Sequence, residues 1–184
     1  MHEALEKRQE ELASPRVSFR DPGGAVVRDG SHIYRVVAPE AASTLRSFLA
    51  TATAARWQSN GGFVTTFPVD NPHAGHAIAA PICQERGWDL HDVFVAEHGV
   101  IPFVSYPWEW APCMLGAAAD LTLRLADELL DEGYGLKDAT PLNVLFRGPQ
   151  PVLVDVLSVE RRDPGAAHWL AHGQFVRTFL LPLA

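Results

Sequence analysis

The sequence predicts a mixed α+β fold in two lobes: a small N-terminal lobe with an antiparallel sheet, and a reduced helical C-terminal lobe. Residues 25–37 contain an Asp-Gly turn between β-rich runs, which signals a hairpin because Gly supplies the positive φ that the turn requires. An Ala- and Leu-rich pattern from Pro112 to Glu132 predicts a long, largely buried helix that ends at Gly133. Two further apolar runs, joined by a Gly-Pro turn over residues 144–154, predict a second hairpin.

Size and charge exclude several classes of protein. A chain of 184 residues can form one sizeable core or two small lobes that share a cleft. Its net charge of −7, without a Lys/Arg cluster, argues against a nucleic-acid or anionic-membrane partner. No apolar run approaches the ~20 residues of a membrane span. The polar N-terminus lacks the apolar core of a signal peptide, so we expect a cytoplasmic protein.

The two cysteines do not form a disulfide framework. Cys83 and Cys113 are far apart in sequence and lie beside Pro or apolar residues. We therefore expect both to be buried free thiols.

Composition divides the chain into three parts. Residues 1–17 are expected to be a helical extension, residues 18–104 a lobe with a sheet and one helix, and residues 105–184 the reduced C-terminal lobe. Within the first lobe, a helix is predicted from Pro39 to about Asn60, and then a strand over residues 62–67. The apolar stripe of this helix is Leu45, Phe48, Leu49, Ala52 and Ala55.

Residues 68–92 are rich in Pro, Gly, His and Asn and show no clear period, so we expect a loop. His73 and His76 form an H-x-x-H pair there. A metal site needs further ligands and a rigid frame, and neither is evident nearby.

Two segments of the C-terminal lobe contain apolar or aromatic residues that predict a contact with a core, a ligand or a partner. Tyr106-Pro-Trp-Glu-Trp110 either lines a ligand pocket by stacking or fills a core, with Glu109 turned outward or capping the next helix. A last helix is predicted over residues 166–183. Its apolar end predicts a contact with a partner domain or with a second copy of the chain.

Residues 136–155 contain the pattern on which the functional prediction depends. Asp138 is followed after five positions by Asn143, and the second hairpin then leads to Asp155. A hairpin brings its outer ends together, so Asn143 and Asp155 can reach one point, with Asp138 just before them in a loop. Three oxygen-bearing side chains suit Mg²⁺. The alternative is structural: a loop Asp, a turn-capping Asn and a strand-end Asp.

The same pattern matches the catalytic core of kinase-type phosphotransferases. In those enzymes the first Asp orients the attacking hydroxyl, and the Asn and the second Asp hold magnesium against the phosphates. The sequence therefore predicts a two-lobed, protein-kinase-like fold that binds ATP and Mg²⁺. Asp138 would be the catalytic residue, and Asn143 and Asp155 would be the metal ligands.

Several segments resemble the kinase-like N-terminal region of a family of bacterial class I S-adenosylmethionine-dependent methyltransferases. They are Leu136-Lys-Asp-Ala-Thr-Pro-Leu-Asn143, Pro151–Glu160, Ile101–Trp110 and Trp169…Gln174-Phe175…Leu183, and the resemblance covers roughly residues 18–184. In such proteins a methyltransferase domain follows this region, and the present chain stops before one could begin. The resemblance implies that S-adenosylmethionine would be bound only by that absent domain.

Departures from a working kinase bear on this prediction. Lys137 stands where protein kinases carry Arg, Val156-Leu157 follows Asp155 in place of Phe-Gly, and no G-x-G-x-x-G loop occurs. By position, Arg35 corresponds to the phosphate-binding Lys of a kinase, and we assign Arg35 and Lys137 to cofactor binding. The helix after Arg35 has no interior Glu to pair with it. The other hypothesis is therefore a non-catalytic, pseudokinase-like scaffold or substrate-recruiting module for a methyltransferase domain.

Overall fold

The computed structural model describes residues 16–17, 22–163 and 165–184. The chain divides into two compact units, one of residues 1–42 and 66–100 and the other of residues 43–65 and 101–184. The predicted α+β fold, with an antiparallel sheet toward the N-terminus and helices with a hairpin toward the C-terminus, is confirmed. The helix predicted within residues 2–13 lies outside the described residues.

The first unit contains an antiparallel sheet, described with five strands in the order β1-β2-β3-β5-β4. Its strands are β1 (Arg16–Val17), β2 (Gly24–Asp29), β3 (His32–Val37), β4 (Thr66–Pro68) and β5 (Phe94–His98). The predicted hairpin is β2–β3, in which Asp29 pairs with His32 and Gly30 has a φ of 55°. The strand predicted over residues 62–67 is shorter, because only Thr66–Pro68 pairs with β5.

The prediction of a loop over residues 68–92 was wrong. Residues Pro72–Arg86 form helix α3, which packs against β3 and β5. Asn71 caps its start by accepting from the backbone N–H groups of His73 (3.0 Å) and Ala74 (3.3 Å), and Gly87 ends it with a φ of 70°. The buried residues of this helix are Gly75, Ala79, Ile82 and Cys83. Most of them are small, so the sequence shows no helical periodicity of large apolar residues.

The predicted helix from Pro39 to Asn60 is two helices, α1 (Pro39–Leu49) and α2 (Ala52–Ser59). Thr51 starts α2, because its side chain accepts from the N–H of Ala54 at 3.1 Å. Because a new helix begins after Thr51, the buried face of α2 does not continue that of α1. Ala52 and Ala55, predicted in the apolar stripe, are exposed, whereas Trp57 is buried.

The second unit is built around helix α4 (Pro112–Leu130), which lies against β6 (Tyr134–Leu136) and β8 (Gln150–Leu153). β7 (Val144–Arg147) pairs with β8, and β6 pairs with β9 (Val159–Arg161). α2 joins this unit through Glu128, which accepts from Arg56 (2.6 Å) and from the Trp57 indole (2.7 Å). Residues 43–65, which we assigned to the N-terminal lobe, belong to this second unit together with residues 101–184, and the lobe boundary at residue 104 stays a prediction.

The last helix is shorter than predicted. α5 begins at His172, not at Ala166, and runs as His172–Phe175, a π-helical turn Val176–Leu180 and Leu181–Leu183. Phe175 and Phe179 are buried, and Leu180, Leu181 and Leu183 are exposed. The partner contact through this helix stays a prediction.

Two remaining expectations concern the cysteines and the membrane. Cys83 is a buried free thiol as predicted, but Cys113 is exposed, because it lies in the first turn of α4. Among the described residues, no helix has both the length and the apolar character that a bilayer span requires.

Candidate active site

The β7–β8 hairpin holds Asn143 and Asp155 at its open end. Asn143 closes the 3₁₀ turn Pro141–Asn143 directly before β7, and Asp155 follows β8 by two residues. The backbone N–H of Val154 donates to the carbonyl oxygen of Asn143 at 2.8 Å. This bond continues the ladder one step beyond the Val144–Leu153 pair, so that Val154 lies across from Asn143 and Asp155 is the next residue along the chain.

Asp138 lies in the loop between β6 and the 3₁₀ turn. The Asn143 side chain donates through Nδ2 to the carbonyl oxygen of Asp138, at the long distance of 3.5 Å. This contact uses the amide nitrogen, so Oδ1 is the atom with which Asn143 would bind a cation. Both Asn143 and Asp138 are half-buried. The structure therefore joins the Asn143 side chain to the Asp138 backbone, and all three candidate residues belong to the second unit.

Asp155 also has a structural role. Its Oδ1 accepts from the N–H of Leu157 at 3.3 Å, which caps the 3₁₀ turn Val156–Ser158. Its carbonyl oxygen accepts from the hydroxyl of Ser158 at 2.6 Å. The carboxylate is thus fixed in direction by the turn that follows it.

Ser158 joins this turn to the Asp138 loop, a role that the sequence did not indicate. It is fully buried, and its carbonyl oxygen accepts from the N–H of Lys137 at 2.8 Å. The turn after Asp155 and the residue before Asp138 therefore share one anchor. The Lys137 side chain itself is exposed.

The segment 169–178 contacts the Asp138 loop through the side chains of Trp169, Gln174 and Thr178. The Trp169 indole N–H donates to the carbonyl oxygen of Leu136 at 2.8 Å. The Gln174 side-chain carbonyl accepts from the N–H of Ala139 at 2.6 Å. The Thr178 hydroxyl lies 2.8 Å from the carbonyl oxygen of Gln174 and 3.4 Å from that of Ala139. The loop is thus held on both sides of Asp138.

Arg35, the remaining predicted residue, lies in the first unit, on β3. Its side chain is buried, and its Nε donates to Nε2 of His98 at 3.2 Å. Since a guanidinium only donates, Nε2 is the unprotonated nitrogen of His98, and Nδ1–H donates to the Thr66 hydroxyl at 2.9 Å. Burial, reinforced by the Arg35 charge, lowers the pKa of His98 to about 3, so the ring is neutral at neutral pH.

The donor set fits magnesium rather than a softer metal. One carboxylate and one amide oxygen are hard ligands, and Mg²⁺ commonly takes one or two carboxylates and completes its shell with phosphates and water. The described residues contain no group of three or more His, Cys, Asp or Glu that would hold a metal by themselves. His73 is exposed on α3, and His76 packs edge-to-face on His91, with the ring centroids 5.5 Å apart.

The aromatic segment around Glu109 combines the two predicted alternatives. Trp110 packs edge-to-face on Phe146, with the ring centroids 4.9 Å apart, as a core residue would. Tyr106 and Trp108 stack on each other at 4.8 Å, and Trp108 is 75% exposed. Glu109 is exposed, as expected of a side chain turned outward, and it does not cap α4. It accepts from the N–H of Tyr106 at 2.6 Å and so closes its own 3₁₀ turn.

A groove of about 500 Å³ lies in the second unit beside α4 and β6, away from the three candidate residues. Leu123, Arg124, Asp127 and Trp169 are among its lining residues, and Asp138, Asn143 and Asp155 are not. The chemistry predicted from the sequence therefore depends on the hairpin geometry and not on this groove.

The chain is similar in sequence to a curated nodulation protein. Nodulation protein NoeA of Rhizobium meliloti (strain 1021) is 32% identical over 166 residues, which are 90% of this chain and 32% of NoeA. The chain thus spans about a third of that relative. No protein-family model matches the chain.

Two solved structures are similar to the chain at low sequence identity. The Cydia pomonella granulovirus kinase PK-1 gives a TM-score of 0.45 at 10% identity, over 88% of this chain and 60% of that one. The choline kinase LicA from Streptococcus pneumoniae gives a TM-score of 0.35 at 11% identity, over 97% of this chain and 80% of that one.

Proposed function

We propose that this chain is a kinase-like domain that binds ATP with Mg²⁺ and positions it for phosphoryl transfer. The observation that carries the proposal is the Asn143–Val154 backbone hydrogen bond of 2.8 Å, which closes the end of the hairpin between Asn143 and the residue before Asp155. The Asn143 contact with the backbone carbonyl oxygen of Asp138 supports it, because it links the Asp138 loop to the start of the same hairpin. The spacing of these residues along the chain is the spacing that kinase-type chemistry requires.

Each residue has a distinct proposed role. Asn143 Oδ1 and the Asp155 carboxylate would hold Mg²⁺, which neutralises charge on the phosphates when it is bound. Asp138 would accept the proton of the attacking hydroxyl. Arg35 and Lys137 are proposed phosphate contacts. The exposed side chain of Lys137, on a fixed backbone, suits this role, whereas the Arg35 side chain is buried in the first unit, where it donates to His98.

We further propose that the domain belongs to a larger protein of the S-adenosylmethionine-dependent methyltransferase type. The support is the set of segments quoted above, from Tyr106-Pro-Trp-Glu-Trp110 to Trp169…Gln174. Methyl transfer would belong to another domain. We expect no binding of S-adenosylmethionine by residues 1–184, which titration calorimetry would check directly.

The second candidate function is a non-catalytic scaffold for such a methyltransferase domain. Two observations favour it. The sequence has no Gly-rich phosphate loop, and Asp155 Oδ1 is engaged by the N–H of Leu157, as a structural turn cap would be. A carboxylate has a second oxygen, so a turn cap and a metal ligand can coexist in one residue.

Calorimetric titration of ATP with Mg²⁺ separates the two functions. We expect micromolar affinity in the parent chain and loss of binding in Asp155→Asn, because the amide replaces the only carboxylate on the proposed cation. Asp92→Asn is the matched control, since it makes the same change of charge at an exposed residue of the first unit. Absence of binding by a folded parent chain, or equal affinity in Asp155→Asn, would favour the scaffold.

A further inference from the structure

The Asp138 loop has few backbone hydrogen bonds of its own. Lys137 donates to Ser158 at its start, and Leu142 and Asn143 donate to Thr140 at its end. Between these points, Ala139 is buried at 1% exposure, and a buried N–H without an acceptor is costly. The acceptor comes from outside the loop, and it is the side chain of Gln174.

The position of Gln174 suits it to accept the hydrogen bond of the Ala139 N–H. Its Oε1 lies 2.6 Å from the Ala139 nitrogen, a short and well-formed contact. Gln174 is half-buried on α5, next to Phe175, whose buried ring packs on those of Trp169 and Phe179. The aromatic packing beside Gln174 therefore anchors the segment of helix that carries the acceptor.

Thr178 adds a second tie one helical turn later. Its hydroxyl bonds to the carbonyl oxygen of Gln174 and reaches toward that of Ala139. Thr178 lies in the π-helical turn Val176–Leu180, a local widening that recurs at functional sites in helices. Both backbone polar groups of Ala139 thus face side chains of α5.

We propose that Gln174 is the positioning residue of the Asp138 loop, with Thr178 as its support. The inference rests on the proposed function, because it gives α5 the task of fixing the direction of the Asp138 carboxylate. Gln174 touches neither ATP nor Mg²⁺ in this account. Its removal should therefore lower turnover and leave the affinity for Mg²⁺ with ATP unchanged, since Asn143 and Asp155 are set by the hairpin.

Amide hydrogen exchange, read residue by residue by NMR, tests the positioning role without any assumption about activity. In Gln174→Met, which keeps the volume and removes the acceptor, the Ala139 amide should exchange about tenfold faster. Gln174→Glu retains an oxygen at the same place and should restore slow exchange. Phe63→Leu is the control for stability, because Phe63 is buried in the same unit, where its ring packs on Phe48.

A selective rise at Ala139 in Gln174→Met, absent in Phe63→Leu, would support the proposal. Equal exchange of Ala139 in these two variants would overturn it, as would fast exchange in Gln174→Glu. The same variants are then titrated with Mg²⁺ and ATP and assayed for ATP turnover. If the parent chain binds no nucleotide, the proposed function fails, and the exchange of Ala139 still decides the role of Gln174.

Discussion

Val154 donates its backbone N–H to the carbonyl oxygen of Asn143 at 2.8 Å, one step beyond the last paired residues of the β7–β8 hairpin. This bond closes the end of the hairpin between Asn143 and the residue that precedes Asp155, and Asn143 and Asp155 are twelve positions apart in the sequence. The proposed function depends on this pairing, and the predictions below test the residues around it.

Asp138→Asn should separate binding from chemistry. The amide cannot accept the proton of a hydroxyl, so we expect ATP turnover to fall by about 10²–10⁴-fold. Affinity for Mg²⁺ with ATP should stay within about threefold, because Asp138 is not a proposed metal ligand. Water is the acceptor in this assay, and phosphate release is the readout. Equal turnover in the parent and the variant would remove Asp138 from the chemistry.

His98 should make stability depend on pH. Its pKa is about 3 in the folded chain and about 6.5 when unfolded, so the unfolded state binds more protons between these values. The free energy of unfolding contributed by His98 is therefore fully present above pH 6.5. It is lost as pH falls toward 3, with a slope of at most about 1.4 kcal/mol per pH unit.

Urea unfolding of the parent and of His98→Asn from pH 7 to pH 4.5 measures this contribution. The difference in stability between the two should shrink as the pH falls. His73→Asn is the control, because His73 is exposed and should leave the profile of the parent unchanged. A constant difference between the parent and His98→Asn would contradict a neutral, buried His98.

Two glycines of the second unit should respond oppositely to alanine. A Cβ at Gly62 would lie 2.5 Å from Cε3 and 2.7 Å from Cζ3 of the Trp57 ring, so the indole must move. We expect Gly62→Ala to lower the free energy of unfolding by about 1–3 kcal/mol. Gly116, within α4, would meet nothing within 4 Å, and Gly116→Ala should raise it by about 0.5–1 kcal/mol.

Chemical denaturation with Trp fluorescence measures both changes. Loss of stability in Gly116→Ala would show that the helix is crowded at this position. An unchanged Gly62→Ala would show that the Trp57 ring does not pack on the glycine.

Thr178→Val should weaken the second tie between α5 and the Asp138 loop. Valine keeps the shape and removes the hydroxyl, so the hydrogen bond to the carbonyl oxygen of Gln174 is lost, at a cost of about 1 kcal/mol in unfolding free energy. Thr178→Ser retains the hydroxyl and should lie closer to the parent in the same urea titration. If Ser is as destabilising as Val, the methyl group and not the hydroxyl makes the contribution.

The elements predicted correctly are those with strong local signals. Asp29-Gly30 defines the β2–β3 turn, and Pro112 with Gly133 marks the span of α4. Helix α3 escaped prediction because its buried face includes Gly75 and Ala79, which are too small to produce an apolar period. The helix forms because it caps well at both ends and packs on the sheet.

In the candidate site, too, the local patterns could be predicted from the sequence and the long-range contacts could not. The spacing of Asp138, Asn143 and Asp155 is a local pattern, and the hairpin predicted between Asn143 and Asp155 is present as β7–β8. The supporting contacts are not local. Gln174 reaches Ala139 across 35 positions and Arg35 reaches His98 across 63, and neither pair has a sequence signature. Gln174 was noted only as part of a resemblance, and no role for it followed from the sequence.

The most direct test of the central claim is to locate the cation. Mn²⁺, which accepts the same oxygen ligands as Mg²⁺, broadens NMR signals of nearby nuclei and can be added with ATP to the ¹⁵N-labelled chain. We predict selective loss of the amide signals of Asn143, Val144, Asp155 and Val156 at stoichiometric Mn²⁺, and their return in Asp155→Asn. Broadening centred elsewhere, or the same broadening in Asp155→Asn, would contradict a metal–nucleotide site at the end of this hairpin.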